Sequence, residues 1–143
     1  MTPLVVGIGN PLRGDDGVGY VVAGRIAEHR PDIEVVMTHQ LVPELVASIT
    51  AARLVVFVDA AAGGTPGDVR CAGVHAGRSA GGSGHRLTPA TLMALALETT
   101  GAAPQAWLVT IHASSFDIGN PLSHAVEQAL PTAIDTVLSL LPE

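Results

Sequence analysis

The sequence predicts an α/β domain of three layers: a doubly wound, mainly parallel, twisted sheet of about five strands flanked by helices. Three observations predict it. A continuous β-branched run at 4–9 and a strongly apolar run at 53–60 read as buried strands, and 105–112 as a further strand. Segments of helical period alternate with them. The 143 residues are 48% hydrophobic but only 3% aromatic, which is enough for one core built from Ala, Val, Leu and Ile. Residues 1–143 are therefore read as a single domain.

The elements follow in order. LVVGIG (4–9) is a buried strand, and a polar turn at 10–15 leads out of it. Asp15 or Asp16 is expected to cap a helix over 16–29, where Val18, Val21, Val22 and Ile26 share a face. IEVVMTH (33–39) is a second strand. VPELVASITA (42–51) is a second helix, with Pro43 in its first turn. RLVVFVDA (53–60) is a third strand that ends at an aspartate, and DVRCAGV (68–74) a short fourth. HAGRSAGGSGHR (75–86) is a glycine-rich loop with little apolar surface to anchor it, and is expected to be mobile. Thr88, Pro89 and Gly101 mark the cap, first turn and end of a helix at 87–101. QAWLVTIH (105–112) is a further strand. The final helix, 121–141, carries Pro131, which should kink or split it. The chain is read as free of internal repeats.

Composition removes several function classes. A net charge of −6 leaves no basic surface for nucleic acid. Mean hydropathy is +0.42, yet no apolar run reaches the roughly 18 residues of a membrane span. The start, MTPLVVGIGN, has no basic segment of a secretory signal, so a cytoplasmic location is expected. One cysteine, Cys71, allows no internal disulfide; inside a strand it reads as a small core thiol.

The stretch GIGNPLRGDDGVG (7–19) follows the first strand directly. A dinucleotide fingerprint requires G-x-G-x-x-G, but the third glycine position falls on Leu12. A Walker A loop requires lysine, and the chain has none. Two carboxylates also line a phosphate pocket poorly. Asn10, Pro11, Gly14 and Asp15 suit an ordinary turn, and one aspartate would explain a cap. Asp59 shifts the balance, because a carboxylate leaving a buried strand is costly unless paired or coordinated. Parallel sheets gather their sites beyond the carboxyl ends of the strands. Asp16, Asp59 and His85 lie on three loops expected there. Two oxygens and one imidazole suit a borderline divalent ion with open positions for water or substrate. His39 and His112 end strands and are peripheral candidates. Arg13 and Arg86 flank the site, and Trp107 is expected to fill core space.

The same residues carry a resemblance. GIGNPLRGDDGVG (7–19) resembles the signature of the hydrogenase maturation proteases, endopeptidases that trim the C-terminus of the nickel–iron hydrogenase large subunit. HQLVPELVASI (39–49), VVFVDA (55–60), GHRLTPATLMAL (84–95) and SFDIGNPLSHAVEQAL (115–130) are similar to later segments of that family. The resemblance implies a metal-binding and catalytic triad of Asp16, Asp59 and His85. Asp16 stands where some members carry glutamate. His85 is preferred because it directly precedes the LTP helix start, with His75 as the fallback. The resemblance further implies a nickel-dependent peptidase whose nickel is supplied by the bound substrate, other divalent ions being possible occupants. Its partner is the large-subunit precursor. Asp15 would support or cap, and Asn10 would donate to the peptide. A metal-dependent small-molecule hydrolase, of amidase or nucleoside-hydrolase type, and a non-catalytic precursor-binding chaperone are the competing readings.

Overall fold

Five strands form one sheet in the order β2-β1-β3-β5-β4. They are β1 (Leu4–Ile8), β2 (Glu34–Thr38), β3 (Leu54–Ala61), β4 (Val69–Val74) and β5 (Gln105–His112). The computed structural model of the chain describes residues 1–77 and 86–143. His85 and most of the glycine-rich loop expected to be mobile lie outside the described residues.

The first three strands and β5 run parallel, and β4 alone runs antiparallel, against β5. β1 is buried along its length and β3 from Leu54 to Val58, because helices cover both faces. On one face Val5, Val56, Val58, Val109 and Ile111 pack against α1 (Val18–His29) and α4 (His124–Leu140). On the other, Leu4, Val6, Val55 and Phe57 meet α2 (Val46–Ala51) and α3 (Pro89–Thr100). The chain leaves β1 for β2 on one side and returns to β3 on the other. The topological switch point therefore falls between β1 and β3, where a crevice opens beyond the carboxyl ends of such strands.

Three local expectations are corrected. Neither Asp15 nor Asp16 caps α1: a 3-10 turn, Gly14–Gly17, precedes it, and neither helix start has a side-chain cap. Both carboxylates have instead been recruited by backbone amides outside the helix. Pro131 does not split the last helix, which is continuous from His124 to Leu140. Pro131 is exposed, while Val126, Ala129, Leu130, Ala133, Ile134 and Val137 bury the opposite stripe, and that burial offsets a proline cost of about 3 kcal/mol. Cys71 does lie in a strand, but β4 is an edge strand and the thiol is exposed rather than in the core. Trp107 is half-buried against the core. No helix among the described residues is long and apolar enough to cross a membrane.

Candidate active site

A cleft of about 600 Å³ opens at the switch point. Asp16 and Asp59 line it together with His39, Arg86, Thr88 and Phe116.

Asp16 reaches the cleft because the loop after β1 closes on itself. Gly9 has φ +145°, and a side chain there would collide with the Asp16 carbonyl, so only glycine lets the strand end and the 3-10 turn approach so closely. The Asn10 amide donates to Asp16 Oδ2 at 2.8 Å, and Asn10 Oδ1 accepts from the Leu12 amide at 2.9 Å. Asn10 thus builds the turn in which Asp16 is held.

Asp59 sits near the end of the central strand β3, opposite Thr110 of β5. Its Oδ1 accepts from the Ala60 amide at 2.8 Å. Burial pushes its pKa up to about 6; the Ala60 amide opposes this, the charge of Asp16 adds to it, and the Arg86 guanidinium lowers it. One oxygen of each aspartate is engaged by a local amide. The other, Oδ1 of Asp16 and Oδ2 of Asp59, accepts no hydrogen bond among the described residues. Two carboxylates that share a cleft, one of them holding a proton near neutrality, can exchange protons with a substrate or take up a cation.

Asp15, adjacent in sequence, does something different. It is 1% exposed. Its Oδ1 accepts from the Ser123 amide at 2.6 Å and its Oδ2 from the Ser114 and Ser115 amides at 2.8 and 3.2 Å. Burial would raise its pKa, but these amides and the Ser123 hydroxyl outweigh it and hold the carboxyl below the usual range. Asp15 is a clamp joining the opening loop to the segment after β5.

The candidate residues separate cleanly. The structure brings Asp16, Asp59, Arg86 and His39 to one cleft. His39 was a peripheral candidate on sequence; here it is exposed, with its ring 6.0 Å from that of Tyr20. His112 is not in the lining; its Nδ1 is 2.7 Å from the Gly63 carbonyl, which pins the loop after β3. His75 lines a different hollow, with Pro104 and Trp107 at the amino-terminal end of β5. The antiparallel course of β4 carries it there. Among the described residues no group of three or more His, Cys, Asp or Glu is placed to hold a metal ion. Phe116 was missed, since a lone aromatic in a loop gives no sequence signal of where it packs. Arg13 does not line the cleft.

Comparison with known proteins gives a clear result at one level only. No family model matches the chain, and no curated protein matches it by sequence. Solved structures do. The chain is similar to the hydrogenase maturating endopeptidase HybD from E. coli, with TM-score 0.80, 25% identity, and 98% of this chain and 91% of that one covered. It is similar to the nickel–iron hydrogenase maturation protease HycI from Thermococcus kodakarensis KOD1, with TM-score 0.77, 28% identity and coverage of 98% and 92%. HybD from Thermococcus kodakarensis, 21% identical with TM-score 0.76 and coverage of 99% and 100%, shares the fold.

Proposed function

We propose that this chain, which has the fold of the hydrogenase maturation endopeptidases, removes the C-terminal extension of a nickel-loaded hydrogenase large-subunit precursor. One observation carries the reading. Asp16 and Asp59 enter a single cleft at the switch point of a sheet that matches those endopeptidases along nearly its whole length.

The two carboxylates of the cleft are oxygen donors of a kind that the nickel of such a substrate could take. Asp16 and Asp59 each have an oxygen to offer, and His85 would complete the set. The metal would arrive with the precursor, and other divalent ions could take its place. Held there, it would supply Lewis-acid polarisation of the peptide carbonyl. The chain's own residues do the rest. Without the ion Asp59 holds its proton up to about pH 6; giving its free oxygen to the ion would displace that proton. Arg86 offers a cation to a peptide carboxylate or carbonyl in the same cleft. Hydrolysis of one peptide bond leaves a shortened large subunit and a free C-terminal peptide. The reading carries with it a cytoplasmic location.

The test is to incubate the protein with large-subunit precursor, nickel-loaded or nickel-free, and weigh the products. Loss of the C-terminal extension from the loaded form alone is expected. Stable binding without a mass change would instead favour the chaperone reading.

A further inference from the structure

Phe116 is half-buried, yet among the described residues its ring packs into neither of the two apolar layers that cover the sheet. It lines the cleft that Asp16 and Asp59 enter. Ile8, Leu41 and Leu87 line that cleft too, but each of them also packs into the core behind it. The loop that carries Phe116 is fixed from a distance. It leaves β5 and is drawn to the loop after β1, the strand on the far side of β3. The Asp15 carboxylate gathers the amides of Ser114, Ser115 and Ser123, and the Ser115 carbonyl accepts from the Asp15 amide at 3.0 Å. The Asp117 amide donates to Ser115 Oγ at 3.1 Å, so both neighbours of Phe116 are tied. Gly14, at φ +56°, lets the loops meet where a side chain would crowd the Ser115 carbonyl. A short repeat, contrary to the expectation of none, closes the same seam. Ile-Gly-Asn-Pro-Leu occurs at 8–12 and again at 118–122, and the Gly119 amide donates to the Leu12 carbonyl at 2.9 Å.

We infer that Phe116 is a specificity-determining residue of the cleft, its ring forming the wall against which the precursor seats an apolar side chain adjoining the cut bond. The inference rests on the function proposed above. Three observations support it. First, a large ring half in water and outside both cores contributes little to the fold, whereas covering it with an apolar partner would be favourable. Second, the ties on either side of it order the loop in advance, so little entropy is lost when substrate covers the ring. Third, the size of the cleft selects the occupant. About 600 Å³ admits only a few residues of a polypeptide, so a chain with its cut bond at Asp16 and Asp59 brings a neighbouring side chain to the ring. The ring offers no hydrogen bond, and what it discriminates is apolar surface.

The test uses Phe116→Ala and Phe116→Leu with three nickel-loaded precursors: the unchanged one, and two in which the residue before or after the cut bond is replaced by alanine. Binding is measured by titration and cutting by product mass over time. Phe116→Ala is expected to raise KM and weaken binding of the unchanged precursor about tenfold, with kcat and Tm little changed, and Phe116→Leu to restore most of the loss. With one of the two alanine precursors the loss should shrink to about threefold or less, because the side chain that met the ring is gone. No loss on any precursor would overturn the assignment. An equal loss on all three, or a Phe116→Ala protein that does not fold, would show a structural role and overturn it too. Normal cutting by the wild type with no effect of Phe116 sinks this inference alone. If the wild type binds without cutting, and the precursor-dependent loss appears in binding, the peptidase reading fails while the role of Phe116 stands. A wild type that neither binds nor cuts the precursor sinks both.

Discussion

Asp16 and Asp59 enter one cleft, Asp16 from the 3-10 turn after β1 and Asp59 from the end of β3, and the charge of Asp16 adds to burial in pushing the Asp59 pKa up to about 6. The pair is therefore a matched set: one carboxylate helps decide how tightly the other holds its proton.

Removing the neighbours should move that proton in opposite directions. Asp16→Asn takes away a like charge and should lower the Asp59 midpoint, whereas Arg86→Met removes a favourable cation and should raise it. A carboxyl-carbon NMR titration of the three proteins reads both shifts. A midpoint that moves the same way in both variants contradicts the assignment.

Because the Asp59 pKa is raised above its ordinary 3.8, the folded state holds the proton more tightly than the unfolded chain. Stability from this group is full below about 3.8 and is lost as pH rises to about 6. Asp59→Asn should accordingly stabilise the protein near neutrality by on the order of 1–2 kcal/mol and have no such effect in acid. Urea denaturation at several pH values checks the sign.

Asp15 should behave in the reverse way. Its pKa is depressed, so its contribution is present above about 3.8 and fades as pH falls through the lower folded value. Asp15→Ala leaves three inward amides without their acceptor and should cost roughly 2–4 kcal/mol at neutral pH. The gap from wild type should narrow in strong acid. Denaturation of both proteins across that range tests it.

Two glycines should respond oppositely to alanine. Gly19 packs against the carbonyls of Ile8 and Val58, so Gly19→Ala should drive α1 off the sheet and cost about 2 kcal/mol or more. Gly24, in the middle of the same helix, has nothing near it, and Gly24→Ala should gain about 0.5–1 kcal/mol. Thermal melts of the two variants, shifting apart, are the measurement.

The sheet was legible because β1 and the first half of β3 are nearly continuous apolar runs rich in valine, and such runs fit strands covered on both faces. Asp59 was legible for the same reason, as the first carboxylate after a run of buried valines. The role of Asp15 was not, because its partners lie about a hundred residues away and no local pattern announces them. Cys71 misled because an edge strand can be written in the same small apolar letters as a core strand. That the helix is not split at Pro131 was not legible, because the local cost of the proline is visible in sequence while the burial opposing it belongs to the tertiary fold. His112 ends β5 and His39 directly follows β2, and only the surrounding loops decide that one lines the cleft while the other pins a turn.

The most direct test of the central claim is the trimming rate of nickel-loaded precursor by Asp16→Asn, Asp59→Asn and His85→Ala, followed by product mass. The account predicts that each loses about 100-fold or more while remaining folded. Trimming at the wild-type rate by all three would contradict it.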